Sequence, residues 1–138
     1  VNVPCHEPES LRPQTREVVV VDDDVAVAAL MERWLSTVGV KVHHVEDGLS
    51  ALSVVATHPV DAVFADIELT KENGIDFVRL VHLVMPSLPL CLMSGRMEEH
   101  RALGALPDGM AAFLAKPLTR TAVLRQVAAM SDRVAQAV

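Results

Sequence analysis

Val18-Val19-Val20-Val21-Asp22-Asp23-Asp24 is an unbroken apolar run that stops on three consecutive carboxylates. A short run of β-branched residues without polar alternation suits a strand covered on both sheet faces. The pattern recurs along the chain. Val40–Val45, Ala62–Ala65, Leu90–Met93 and Ala111–Ala115 are further stretches of strand length, separated by helical patterns. Val27, Leu30, Met31, Trp34, Leu35 and Val38 recur at three- and four-residue steps until Gly39. Leu49, Leu52, Val55 and Ala56 form a second pattern, ended by His58-Pro59. Phe77, Val78, Val81 and Val84 form a third, closed by Pro86. A fourth, Met97–Leu106, is short and weak because Gly104 and Pro107 interrupt it. The fifth runs from Thr119 to the C-terminus, with Leu124, Val127, Met130 and Val134 on one side.

Five strands alternating with five helices predict an α/β fold, a parallel sheet with helices on both faces. Right-handed crossovers leave few topologies, and the flavodoxin-like (βα)5 sandwich with strand order 2-1-3-4-5 is the expected one. Residues 17–138 form a single domain in this reading, with an extended last helix. Residues 1–16 carry Pro4, Pro8 and Pro13 among polar residues and read as a flexible N-terminal tail.

Bulk properties exclude several function classes. A net charge of -6 argues against a basic nucleic-acid surface, and one Trp, three Phe and no Tyr supply little stacking on bases. No apolar run is long enough to span a bilayer, and residues 1–16 lack the order of a secretory signal. Cys5 and Cys91 are too few for a disulfide framework; Cys91 reads as a small buried hydrophobe and the compartment as reducing cytoplasm.

Polar residues fall at the carboxyl ends of the predicted strands. Asp22-Asp23-Asp24 follow the first, Asp66 ends the third, Ser94-Gly95 end the fourth, and Lys116-Pro117 end the fifth. In a parallel sheet these ends share one edge, so carboxylates, a hydroxyl and an ammonium converge. Crowded carboxylates repel, and a hard cation with oxygen ligands relieves that repulsion. Mg²⁺ takes one or two carboxylates, keeps waters and leaves room for phosphate oxygens. A carboxylate so placed can attack phosphorus to give an aspartyl phosphate, with the lysine neutralising the phosphoryl oxygens. Each residue taken singly has a structural explanation. Asp22 to Asp24 are candidate helix caps, and Asp24 is expected to cap the first helix. Ser94 suits a turn and Lys116 a solvated charge. Their joint placement favours the phosphoryl site.

From residue 17 to about 130 the chain resembles the receiver domains of two-component response regulators. Val20-Val21-Asp22-Asp23-Asp24 resembles the family's first strand and acidic pair. Asp66-Ile67-Glu68-Leu69 with Asn73-Gly74 resembles its phosphoacceptor and following loop. Ser94-Gly95 and Phe113-Leu114-Ala115-Lys116-Pro117 match the switch hydroxyl, aromatic position, lysine and proline. Asp23, Asp66, Ser94 and Lys116 are separated by 43, 28 and 22 residues, which suits a receiver.

The resemblance implies that Asp66 accepts a phosphoryl group from the phosphohistidine of a sensor histidine kinase or a phosphotransfer protein. Asp23 would bind Mg²⁺ directly, Asp22 mostly through water, and Asp66 and the backbone carbonyl of Glu68 would complete the protein ligands. Ser94 and Lys116 would hold the phosphoryl oxygens, and Phe113 would swing inward as Ser94 moves. The Lys116-Pro117 peptide is expected to be cis. Phosphorylation would then bias a surface built from the fourth helix, fifth strand and fifth helix, which binds a downstream protein partner or the chain's own output domain. In that reading the chain catalyses only its own phosphotransfer and dephosphorylation.

Two departures stand out. Thr70 occupies the position where the family usually has proline, which is expected to soften the loop. Phe113 lacks the hydroxyl of the frequent tyrosine. Glu68 and Arg96 occupy variable positions near the acceptor. They either pair across the pocket mouth and tune the phosphate lifetime, or point into solvent as two exposed charges.

The six histidines show no metal-binding spacing. His43 and His44 are expected to face opposite sides of a strand, and the others to be ordinary surface or half-buried residues. Met85, Met93, Met97, Met110 and Met130 read as core filling. The far end of the last helix, Asp132–Val138, suits a linker to an output domain, a homodimer contact through Ala128, Ala129, Val134 and Ala135, or a frayed terminus. Two rival functions are a phosphate-independent interaction module and a phosphohydrolase with an aspartyl nucleophile. Asp22 and Asp24 have the two-residue spacing of the latter, but the Asp-Gly-Thr context is missing.

Overall fold

β1 (Glu17–Val21), β2 (Lys41–Val45), β3 (Ala62–Asp66), β4 (Leu90–Ser94) and β5 (Ala112–Ala115) form one sheet in the order β2-β1-β3-β4-β5. All four pairings are parallel, as the flavodoxin-like expectation requires. The structure is a computed structural model that describes residues 16–95 and 110–137, with side chains described as far as 130. Four helices occur among the described residues: α1 (Val25–Ser36), α2 (Gly48–Thr57), α3 (Gly74–Val84) and α4 (Arg120–Ala137). The segment Met97–Leu106, expected to be helical, lies outside the described residues, as do Arg96 and residues 1–15.

Strand alternation explains the two cores. Val18, Val20, Ala62, Phe64, Cys91 and Met93 face one side, where they meet Ala28, Met31 and Leu35 of α1 and Val123, Val127 and Met130 of α4. Val19, Val21, Val63, Ala65, Leu90 and Leu92 face the other, against Ala51 and Val55 of α2 and Phe77, Val78 and Val81 of α3. Both faces of the central strands β1, β3 and β4 are therefore dry, which is why those strands read as apolar runs. Cys91 is fully buried, and burial pushes its thiol pKa upward, consistent with an inert core residue. No described helix is long and apolar enough to cross a membrane.

Several pattern positions lie elsewhere than expected. In α1 the buried stripe is Ala28, Met31 and Leu35, whereas Leu30 and Val38 are exposed. Leu30 falls outside the stripe that Ala28, Met31 and Leu35 define on the helix, and so it faces outward. In α2 the stripe is Gly48, Ala51 and Val55, leaving Leu49 80% exposed and Ala56 at the surface. Val84 and Met85, at the end of α3, are exposed, so Met85 fills no core. Val40 belongs to the turn before β2 rather than to the strand. Its N–H bonds to Leu35 O at 3.0 Å and that of Gly39 to Ser36 O at 3.2 Å, the Schellman termination of α1. Gly39 supplies the positive φ of 79° that this turn requires.

Candidate functional site

Register places the acids side by side. Val21 of β1 lies opposite Ala65 of β3, so Asp22 leaves β1 next to Asp66. Asp66 lies opposite Met93, and Ser94 opposite Ala115, which brings the ends of β4 and β5 to the same edge. One carboxylate oxygen from each of Asp22, Asp23 and Asp66 lies within 4.8 Å of the other two. Lys116 Nζ donates to Asp22 Oδ2 at 3.0 Å and to Asp66 Oδ2 at 3.1 Å. The sequence expected this convergence, and the geometry has it.

Each acid is also held by backbone. Asp22 Oδ1 accepts from Asp24 N at 2.8 Å, and Asp66 Oδ1 accepts from Glu68 N at 2.9 Å. Both oxygens of each buried acid are thus engaged, one by a tight turn and one by the lysine. Asp24 caps α1, accepting from Ala26 N at 3.0 Å and Val27 N at 3.4 Å, as expected. Asn73 caps α3 by accepting from Ile75 N at 2.7 Å. Gly74 follows, and a side chain there would collide with the backbone of Asp66 and Ile67. The loop after β3 folds back on that strand only because this position is bare.

Asp22, Asp66 and Ser94 are the buried polar residues among those described. Burial pushes the Asp22 carboxyl pKa up, outweighing the hydrogen bonds from Asp24 and Lys116 that pull it down. The Asp23 carboxyl is held below the usual range, first by the Thr70 hydroxyl and then by the Thr70 amide. Burial pulls the Lys116 ammonium pKa down, but the hydrogen bonds and charges of Asp22 and Asp66 together raise it above the ordinary value. The site therefore keeps its lysine charged and its outermost acid ionised.

Ser94 is buried at the end of β4, and Lys116 N donates to its carbonyl at 2.9 Å. Phe113 is half-buried and packs against the α2–α3 side of the sheet. The Lys116-Pro117 peptide is cis. Glu68 is exposed on the loop, and its backbone bridges to Asn73.

The contacts of three residues near the site, Thr70, His44 and Glu72, escaped sequence reasoning. Thr70 N donates to Asp23 Oδ2 at 2.9 Å, and Thr70 Oγ1 donates to the same oxygen. The expectation that Thr70 merely softens its loop is thus corrected: both donors, which proline lacks, tie the loop to an acid. His44 Nε2 donates to Asp22 O at 2.7 Å. Glu72 Oε2 accepts from Gly48 N at 3.1 Å, which fastens the same loop to α2. An Asp-x-x-x-Thr spacing after β3 was visible, but nothing local announced that it would reach Asp23, 47 residues away.

Three carboxylates with no thiol or imidazole among them suit a hard cation such as Mg²⁺ and disfavour softer metals. With the ammonium beside them, the same edge can accept a phosphoryl group's charge.

Comparison with known proteins agrees with the geometry. The family model described as response regulator receiver domain matches residues 18–128. The regulatory protein VirG of Rhizobium rhizogenes is 33% identical over 120 residues, covering 86% of this chain and 49% of the relative. The chain thus spans half or less of the length of the curated relatives it matches, from 23% to 50%. The crystal structure of the receiver domain of NtrX from Brucella abortus is similar at a TM-score of 0.76 and 26% identity, over 83% of this chain and 98% of that one. A CheY-like response regulator receiver domain protein from Methanospirillum hungatei shares the fold at a TM-score of 0.78 and 20% identity, over 90% and 99% of the two chains. The chain belongs to the response-regulator receiver domains of two-component signalling.

Proposed function

We propose that this receiver works as a phosphorylation-dependent switch in which Asp66 is the phosphoacceptor. The observation that carries the reading is the double contact of Lys116 Nζ with Asp22 and Asp66 at the sheet edge. In the transfer, an Asp66 carboxylate oxygen forms a bond to phosphorus as the phosphorus–nitrogen bond of the donor phosphohistidine breaks. The electron pair of that bond returns to the imidazole nitrogen of the histidine kinase or phosphotransfer protein; with a proton on its other ring nitrogen, the imidazole leaves as the neutral group. Asp22, Asp23, Asp66 and the Glu68 carbonyl would hold Mg²⁺, which supplies charge neutralisation at the phosphoryl oxygens. Lys116 would exchange its carboxylate partner on Asp66 for a phosphoryl oxygen, and Ser94 would donate to another.

The modification replaces the single charge of the Asp66 carboxylate with a phosphoryl group carrying about -1.5 to -2, a net gain of roughly one negative charge. Ser94 and Lys116 lie at the ends of β4 and β5, so satisfying that charge would shift both strand ends and the Phe113 packing between them. The segment after β4, β5 and α4 would then present the output surface to a protein partner or to an attached output domain.

Incubation with a small-molecule phosphodonor and Mg²⁺, followed by mass spectrometry, tests this. Wild type is expected to gain one phosphoryl group, and Asp66→Asn none. Equal labelling of the two refutes the assignment, and no labelling of wild type favours a phosphate-independent module. Timing the loss of label also tests the proposed tuning by Glu68 and Arg96. Unchanged lifetimes on replacing each with Ala would end that part of the reading.

A further inference from the structure

Asp23 is the acid at the mouth of the site, and it is held from across the edge. Both of its donors come from one residue of the β3–α3 loop: the Thr70 amide at 2.9 Å and the Thr70 hydroxyl, both on Oδ2. The loop itself is anchored elsewhere. Gly74 N bonds to Ile67 O at 2.9 Å, Glu68 bridges Asn73, and Glu72 accepts from Gly48 N at the start of α2. Its base and its far side are therefore fixed without Thr70. What Thr70 adds is a tie between the loop and the acid.

That tie has a chemical consequence. A carboxylate oxygen that accepts two hydrogen bonds directs its lone pairs and part of its charge towards those donors. A cation that takes this oxygen must displace the donors, and one that takes the other oxygen meets a carboxylate already partly neutralised. Proline at this position would offer neither donor, and valine would lose only the hydroxyl at nearly equal size.

We infer that Thr70 is a positioning residue that latches the β3–α3 loop onto Asp23 in competition with the divalent cation, so that cation binding loosens the loop. This rests on the reading of the three acids as a Mg²⁺ site. A contact serving only loop stability would leave cation affinity alone. A contact that pre-orients the acid would raise affinity.

Mg²⁺ titration of the intact chain, followed by calorimetry and by the Thr70 amide resonance, separates these. Thr70→Val is expected to bind Mg²⁺ about 3- to 10-fold more tightly than wild type, since one charge-assisted hydrogen bond no longer competes. Thr70→Ser, which keeps both donors, is expected to match wild type, and Thr70→Pro to exceed Thr70→Val. In wild type the Thr70 amide signal moves as Mg²⁺ is added. The melting temperature of Thr70→Val falls below wild type in chelator, and the deficit closes at saturating Mg²⁺. An unchanged or weakened affinity in Thr70→Val overturns the latch while leaving the metal site intact. Equal binding by wild type and an Asp23→Asn, Asp66→Asn double variant overturns the metal site, and the latch with it.

Discussion

The two ends of the sheet both carry carboxylates, yet they satisfy them differently. At the amino end Asp61 Oδ2 accepts from Arg16 N at 2.8 Å and Glu17 N at 3.0 Å, and Glu17 pairs with His43 at 2.8 Å. These groups are partly or largely in water, and their partners are backbone amides and a neighbouring strand. At the carboxyl end Asp22 and Asp66 are buried, and one ammonium from a third strand serves both. The first arrangement is complete in itself. The second leaves two desolvated acids dependent on a single shared cation, so any competing charge rearranges it. A carboxylate is structural at one end and suited to a switch at the other because of desolvation and partner, not residue type.

The sharpest way to break this contrast is to remove the shared cation. Lys116→Met leaves Asp22 and Asp66 facing each other without their counter-charge. Breaking a buried pair from one side is strongly destabilising, and because Lys116 is itself 21% exposed, water softens the loss to about 2–3 kcal/mol. Urea unfolding at pH 7 measures it, and a change too small to resolve would show that the acids do not depend on Lys116. The alkaline limb gives a second reading. The Lys116 pKa is raised in the folded state, so its stabilisation is complete below its ordinary 10.5 and is lost as pH rises through the folded value. Wild type should lose more stability than Lys116→Met across that window.

A smaller effect of opposite sign is expected at Asp22. Its raised pKa means that the folded chain binds its proton more tightly than the unfolded chain does, so this group lowers stability as pH climbs from 3.8 through the folded value. Asp22→Asn keeps the shape and removes the buried charge. The benefit is offset in part because its amide nitrogen must face one of the two donors, Asp24 N or Lys116 Nζ, that the carboxylate accepts from. A gain of about 1 kcal/mol at pH 7 is expected, shrinking as pH falls towards 3.8. Asp23 acts in the other direction: its lowered pKa contributes stability above 3.8 that is lost as pH falls through the folded value. Comparing Asp22→Asn with wild type at each pH cancels that contribution, and a destabilised Asp22→Asn would contradict the burial argument.

How far the sequence carried this picture follows from the same contrast. Val18–Val21, Ala62–Ala65 and Leu90–Met93 were legible as strands because burial on both faces leaves no position for a polar residue. Once those strands were parallel, the convergence of Asp22, Asp66 and Lys116 followed from topology alone. The outward turn of Leu30 and Leu49 was not legible, because a helical repeat marks a broad set of apolar positions and cannot say which of them, with small residues such as Ala28 and Ala51, end against the sheet. Nor was the Thr70–Asp23 tie. It joins positions 47 apart through a loop shaped by Gly74, Asn73 and Glu72, and no local preference encodes it. His44, read as an ordinary strand histidine, reaches the Asp22 carbonyl for the same reason.

The smallest expected effect sharpens the comparison from the amino end. Asp61→Ala removes the acceptor of two backbone amides at the start of β1, Arg16 N and Glu17 N. Water can reach this position and replace the carboxylate, so the loss is expected to be at most about 1 kcal/mol. The sheet edge at Lys116 is at the opposite ends of the strands, so the alkaline limb and Mg²⁺ affinity should remain those of wild type. A change in either would mean that the two ends communicate through the strands between them. The division into a self-contained end and a dependent one would then have to be abandoned.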